Sequence, residues 1–452
     1  MIFRIEVALA RLARRFARLL GRSGGTTLPG RALLSLQPRA IEKLAARLGG
    51  GVTLVSATNG KTTTTTMLAA AFGRAGSPPV TNGAGSNMHW GVATALLGAE
   101  RDTGARGVFE VDEAWLVPVA EQTRPDQIVL GNLFRDQLDR YGELEYLADS
   151  WAELTRRHGA GTQLVLNADD PLVADLGRDR ENVVYFGVED PGQRRPGLAH
   201  AADSKRCRNC GANYVYDAVY LGHLGDYHCT SCGRRRPTAD VAANVVRLDG
   251  MRGSEVEVTT PAGKVALSLS LPGLYNVYNA LAALAAAVAS GIDPARVADA
   301  LREMPAAFGR VERIPIARRE LAVLLIKNPV GADEVLRTLS LEDGRLDLWI
   351  ALNDGIADGR DISWIWDAEF ELLAGRVRSV TCSGRRAAEL ALRLKYAGIG
   401  VETTVEPDIE RSLDAALAQA DAGTLYALPT YTALLELRSL LARRGAAPRW
   451  SA

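Results

Sequence analysis

The chain has 452 residues, Lys plus Arg (53) equals Asp plus Glu (53), and 47% of residues are apolar against 23% charged. That length exceeds one ordinary domain, and the apolar share excludes a disordered chain. The balanced charge excludes a global basic field, so no nucleic-acid partner is expected and an anionic ligand has to be held locally.

Residues 1–22 set Arg11, Arg14, Arg15, Arg18 and Arg22 among Leu and Ala without an uninterrupted apolar core or a small-residue cleavage site. This reads as an amphipathic helix, not a signal peptide. Its basic face offers peripheral membrane contact through anionic headgroups, while packing on its own protein is the reading the residues favour. The longest apolar stretches, such as 280–289, fall well short of the roughly 20 residues that cross a bilayer, so a cytoplasmic protein is expected, at most at the inner face of the membrane. Residues 23–30 concentrate Gly, Thr and Pro and read as a linker within an N-terminal segment, 1–48.

Val52–Ser56 reads as a short buried strand, 57–61 as a tight turn and 62–75 as a helix. Apolar strands at 108–111, 127–131 and 163–167 then alternate with helical segments, the rhythm of a mainly parallel sheet. From 203 to 237 the composition shifts to Cys, Arg, Gly and Tyr, which reads as an inserted module. Strands at 255–259 and 265–271 resume the sheet, and helices are expected at 272–291 and 294–303. A second alternation begins near 310, with strands at 322–326, 346–352, 379–382 and 424–427. The fold class expected is α/β: an ATP-binding domain over 49–310 carrying the insertion at 203–237, then a C-terminal α/β domain over 311–452.

Ser56-Ala57-Thr58-Asn59-Gly60-Lys61-Thr62 puts a small-residue turn between strand and helix, where backbone N–H groups and a helix N-terminus can surround phosphate oxygens. Thr58, Asn59, Gly60, Lys61, Thr62 and Thr63 are therefore candidates for nucleotide binding. Lys61 would neutralise phosphates, and Thr62 would offer its hydroxyl to Mg²⁺. The Walker spacing is incomplete, because Val55 stands where its first glycine is expected. A structural turn with a surface lysine is the alternative, and the hydroxyls of 62–66 also suit capping.

TNGKTTT, Glu110 within FEVDEA, NADDP at 167–171 and LPGLYNVYNALAA at 271–283 together resemble the Mur ligase superfamily, ATP-dependent enzymes that join an amine to a carboxylate. The resemblance implies a Mur ligase-like central ATPase domain, a Mg²⁺ role for Glu110, and positions near adenine or the phosphates for Asn276 and Asn279. Taken alone, Glu110 reads equally as a solvated acid at a strand end. Ala57 replaces the glycine usual in that family's loop.

Cys207-x-x-Cys210 and Cys229-x-x-Cys232 form two knuckles that can bring four thiolates around Zn²⁺. With all four positions filled by sulfur, the metal would be structural, a zinc ribbon stapling a module with little core. Two disulfides are the competing pairing. His223 and His228 lie inside the module and read as loop residues that could substitute as ligands.

Where amino-acid-adding Mur ligases carry an Asp-Tyr-Ala-His-Asn-Pro-like segment, this chain has LIKNPVGA at 325–332, followed by NDGIADGRDISWIWD at 353–367 and LPTYTA at 428–433. With the GGTTLPG linker and the four-cysteine insertion, these segments resemble the MurT family, the synthetase subunits of lipid II isoglutaminyl synthase. The resemblance implies that ATP phosphorylates the α-carboxylate of D-glutamate in the lipid II stem peptide and that ammonia then displaces phosphate to give D-isoglutamine. Arg310, in FGRVER, would contact phosphate or form a salt bridge at a domain hinge.

Hydrolysing glutamine for ammonia calls for an activated Cys-His pair, and Cys382 reads only as a buried thiol. A partner is therefore expected, by resemblance a GatD-type glutaminase subunit in a heterodimer, whose Cys-His pair is completed by an aspartate of this chain. Asp361 is the residue chosen, with Asp358 and Asp367 as substitutes and turn capping as the alternative role. The competing functions are a stand-alone Mur-type or folylpolyglutamate-type amino-acid ligase, and a scaffold built on an inactive nucleotide fold.

Overall fold

The architecture below is that of a computed structural model, which describes residues 27–447 except 83–85, 100–103, 137–143, 159–160, 196, 198–202, 305–310, 317 and 420–422. The amphipathic helix expected at 1–22 and the candidate Arg310 lie outside the described residues.

Six short strands, β1 (Val52–Ser56), β2 (Val80–Thr81), β3 (Gly107–Glu110), β4 (Gln127–Leu130), β5 (Gln163–Asn167) and β6 (Val183–Val188), pair in parallel in the order β2-β3-β1-β4-β5-β6. A parallel sheet is covered on both faces, which is why β1 is apolar at successive positions instead of alternating. Leu54 packs on the side of Leu33 and Leu97, and Val55 on the side of Met67 and Leu281. Two helices cover the second face, α1 (Lys61–Arg74) and α2 (Leu274–Ala289). The Ala-rich α2 is buried over nearly its whole length, as a helix apolar on all sides must be. It starts two residues later than the expected 272–291, because Gly273 at φ +85° turns the chain into it, and ends two residues earlier, shortly before Gly291 at φ +84°.

The insertion folds as a two-stranded antiparallel ribbon, β7 (Tyr214–Leu221) and β8 (Leu224–Cys229). The chain then rejoins the first sheet with β9 (Val241–Leu248) parallel to β6, followed by β10 (Ser254–Thr260) and β11 (Gly263–Leu269) as an antiparallel edge. A second sheet holds β12 (Val311–Ile316), β13 (Arg319–Leu324), β14 (Leu346–Ala351), β15 (Val377–Ser383), β16 (Thr403–Val405) and β17 (Thr424–Pro429) in the order β12-β13-β17-β14-β15-β16. It is parallel except for the β12–β13 pair.

The loops that follow β1, β3, β4 and β13 leave from the carboxyl ends of parallel strands, where open α/β sheets hold ligands. Among the described residues, no helix is long and apolar enough to cross a membrane.

Candidate functional site

The turn after β1 is locked by its neighbours. Gly60 sits at φ +94°, and a Cβ there would lie 1.9 Å from Asn279 Oδ1, so glycine is required twice over. The backbone N–H of Asn59 donates to Asn132 Oδ1 (2.9 Å), Asn132 Nδ2 donates to the Asn59 carbonyl (3.0 Å), and the Thr58 hydroxyl accepts from the N–H of Phe134 (3.0 Å). Ala57, in place of the usual glycine, finds room because Gly131 faces its methyl. Asn279 lies against the turn and accepts from the Thr64 hydroxyl (3.3 Å). Asn276 stands behind it, accepting from Asn279 Nδ2 (3.1 Å) and donating to the Pro272 carbonyl (2.8 Å). Thr62 and Thr63 follow in the first turn of α1, Thr62 half-buried and Thr63 buried.

Lys61 is only 6% exposed. Its Nζ donates to Glu113 Oε2 (2.7 Å) and to the Ala57 carbonyl (2.5 Å). Burial pulls its pKa down, but Glu113, Asp112 and Glu110 outweigh burial and hold it above the ordinary lysine value. Lys61 is therefore a charged ammonium. Three buried carboxylates face this one buried cation. Hard carboxylate oxygens of this kind are the donor type that suits a divalent cation such as Mg²⁺. Glu110 is placed by a two-way exchange with Asn82, donating its N–H to Asn82 Oδ1 (2.9 Å) and accepting Asn82 Nδ2 at its carbonyl (2.7 Å).

The segment after β13 reaches the same turn. Asn328 caps helix α3 (Pro329–Ser340) by accepting the N–H of Gly331 (2.8 Å), and its Nδ2 donates to Asn59 Oδ1 (3.1 Å). Lys327 Nζ donates to Asp136 Oδ2 (2.5 Å). Between the turn and this segment lies a cavity lined by Asn59, Gly60, Asn279, Lys327, Phe134 and Leu224. Lys327 and Asn328 also border an adjoining cleft of about 150 Å³, whose far side carries Asp361 and Trp364. Glu113, Asn132, Asp136, Lys327 and Asn328 were not among the candidates drawn from sequence.

The three acids proposed for a partner's site have different surroundings. Asp358 is buried, accepting from the N–H (2.7 Å) and hydroxyl (2.5 Å) of Thr432 and from the N–H of Gly355 (3.2 Å), so it holds the loop together. Asp367 lies 3.4 Å from an Arg135 guanidinium nitrogen. Asp361 is exposed, and the N–H (2.8 Å) and hydroxyl of Ser363 keep its carboxyl below the usual aspartate value, hence ionised. Cys382 is buried, and desolvation pushes its thiol up to about 12, which leaves no reactive thiolate.

In the ribbon, the four sulfurs of Cys207, Cys210, Cys229 and Cys232 lie within 4.8 Å of one another. The Cys207–Cys232 pair is 3.6 Å apart and the Cys210–Cys229 pair 3.4 Å. A tetrahedron with Zn–S bonds of about 2.3 Å has edges of about 3.8 Å, so the donor set fits zinc in both chemistry and spacing. Each knuckle is a tight turn: Gly211 donates to the Cys207 carbonyl (2.8 Å) and Gly233 to that of Cys229 (3.0 Å). Neither histidine belongs to this cluster. His228 pairs with Asp217 (2.8 Å), while His223, at the opposite end of the hairpin and fully buried, lies 3.3 Å from Asp170 Oδ1.

The Mur ligase middle domain family matches residues 55–211, and the MurT ligase C-terminal family matches 325–434. The chain is 32% identical over 446 residues to the lipid II isoglutaminyl synthase (glutamine-hydrolyzing) subunit MurT of Staphylococcus aureus strain N315, with 97% of each chain covered. It is 34% identical over 450 residues to the same-named subunit of Streptococcus pneumoniae R6, covering 97% of this chain and 98% of the relative. Among solved structures, a pseudomurein peptide ligase type C from Methanothermus fervidus matches with a TM-score of 0.68 at 24% identity, over 89% of this chain and 80% of that one, a likeness of fold.

Proposed function

The chain belongs to the MurT family of Mur ligase-like proteins, and from that premise we propose that it is the ATP-dependent synthetase subunit of a lipid II isoglutaminyl synthase. In this reading the turn 56–63 holds the phosphates of ATP, and Lys61 offsets the charge that builds on the transferring phosphoryl group. Glu110 and the Thr62 hydroxyl would hold Mg²⁺, which supplies further charge neutralisation. The α-carboxylate of D-glutamate in the lipid II stem peptide attacks the γ-phosphorus and ADP leaves. Ammonia then attacks the acyl carbon, phosphate departs, and loss of a proton leaves the amide of D-isoglutamine. A carboxylate itself offers no good leaving group, and the acyl phosphate does.

Neutral ammonia would come from a GatD-type glutaminase subunit. Asp361, ionised and exposed, would accept a hydrogen bond from the second ring nitrogen of that subunit's catalytic histidine and fix its tautomer. The observation that carries the proposal is that Lys327 and Asn328, within the MurT C-terminal match, contact the phosphate turn and border the same cleft as Asp361. The test is amidation of lipid II by the purified full chain with ATP. Ammonium is expected to support it, and glutamine only after the glutaminase subunit is added. Use of glutamine by the chain alone would overturn the division of labour. Dependence on a free amino acid would establish the amino-acid ligase instead.

A further inference from the structure

The four-cysteine ribbon lies inside the nucleotide-binding domain, and its two ends do different things. At one end are the thiolates. At the other, the hairpin turn places Leu221 and Leu224 in the wall of the cavity that Asn59 and Gly60 also line. The turn also presses on both neighbours: a Cβ on Gly222 would lie 3.0 Å from the Phe134 ring and 3.3 Å from Val330 of α3. The cavity is thus polar where the phosphate turn lines it and apolar where the ribbon does, a match for a ligand with an anionic chain at one end and a flat ring at the other.

The ribbon is tied to this position through the two buried aspartates of NADDP. Asp169 accepts from Arg236, four residues beyond Cys232 (2.5 Å), and from the hydroxyl of Tyr278, which lines the cavity from α2 (2.6 Å). The Asp169 carbonyl accepts the N–H of Gly225 in β8 (2.9 Å). Asp170 lies beside His223 and accepts the N–H of Leu133 (2.8 Å), next to the Asn132 that holds the phosphate turn. On the other flank, the N–H of Arg195 donates to the carbonyl of Val219 in β7 (2.8 Å), while its guanidinium pairs with Glu334 of α3 (2.5 Å). Arg236 is held charged above its ordinary value by Asp169 and Glu189, against the pull of burial.

We infer that the ribbon is a positioning element of the nucleotide site: its hairpin turn is the wall against which the nucleotide's ring packs, and the four-thiolate knuckles keep that wall in place. The inference rests on reading 56–63 as the phosphate turn. Leu221 and Leu224 act by contact with the ring, and Arg236 acts through Asp169 and Tyr278.

The experiment measures binding of two probes to the full chain by calorimetry, Mg-ATP and the ring-free tripolyphosphate, with zinc content determined on each sample. Leu224→Ala is expected to keep its zinc and its tripolyphosphate affinity but to bind Mg-ATP about tenfold more weakly, the scale of one apolar side chain lost from a ligand contact. Leu224→Met is expected to restore most of the loss. Cys232→Ser is expected to lose zinc together with at least the same ATP-selective affinity. Lys61→Ala, by contrast, weakens both probes. Unchanged Mg-ATP affinity in zinc-replete Leu224→Ala, or equal weakening of both probes, would overturn the inference. If the unaltered chain bound neither probe, the nucleotide reading would fall and the inference with it.

Discussion

At the turn after β1, Lys61, Asn59 and Asn279 are met by Glu113, Asn132 and Thr64. Across the adjoining cleft, Asp361 accepts from Ser363 in its own turn and faces solvent. The first arrangement is preorganised: under the proposed function its dipoles and charges would stand where phosphoryl transfer builds up charge, so little reorganisation would be required at the moment of reaction. The second is an acid held ionised by the N–H and hydroxyl of Ser363. The contrast recurs within the acidic segment itself, where Asp358 is spent on holding the loop and Asp361 is left open. The proposed function thus sets a tightly hydrogen-bonded charge cluster beside an exposed acid offered to a second protein.

The largest expected effect comes from breaking the preorganised side. Lys61→Ala should lower amidation about 10³-fold whether ammonia is supplied as ammonium or through glutamine, since in the proposed reaction phosphoryl transfer precedes both routes. Removing the ammonium leaves Glu113 buried and unpaired, so the Lys61→Ala/Glu113→Gln double variant should regain thermal stability without regaining turnover. Activity restored in the double variant would mean that Lys61 only supports the fold. On the open side, Asp361→Asn should cost about 10²-fold or more in glutamine-driven amidation and leave the ammonium-driven rate within about twofold. Asp358→Asn, which disturbs its bonds to Thr432 and Gly355, should lower the melting temperature and both rates together. Equal losses in both assays for Asp361→Asn would erase the distinction between the two acids.

How far the sequence revealed this arrangement depended on separation along the chain. Strands with both faces buried, the Gly60-Lys61-Thr62 turn and the paired Cys-x-x-Cys knuckles are local patterns, and each appears in the structure close to where it was expected. Glu113 was overlooked because Glu110 is the acid that the motif singles out; the short helical turn after Asp112 is what aims Glu113 at Lys61. Asn328 pairs with Asn59 across 269 positions, and no periodicity reports on such a contact. The choice among Asp358, Asp361 and Asp367 was open for the same reason, since Asp358 is claimed by Thr432, 74 positions later. His223 read as a loop residue, yet it is buried at the hairpin turn beside Asp170, because a ribbon's free end can be a domain's inner wall.

The smallest expected effect concerns how the open side is anchored. Asp333, in the first turns of α3, accepts the N–H of Glu369 (2.6 Å) and so ties the helix behind Lys327 and Asn328 to the end of the acidic segment. Burial pushes its carboxyl up to about 7. An aspartate in an unfolded chain titrates near 3.9, so between about pH 4 and 7 the folded chain holds a proton that the unfolded chain has released. Burial of this carboxyl therefore costs the folded chain nothing below about pH 4, costs progressively more as pH rises although the Glu369 N–H favours the ionised form, and levels off once the folded carboxyl has ionised. An asparagine side chain in its place would accept the same N–H without titrating. Asp333→Asn should accordingly be more stable than the unaltered chain by about 1–2 kcal/mol at pH 8, below the ceiling of about 4 kcal/mol that the two pKa values set, and should show no gain at pH 4. Urea unfolding at the two pH values measures the difference. A gain of equal size at both would assign the effect to packing rather than to the proton, and would leave the acidic segment anchored independently of pH.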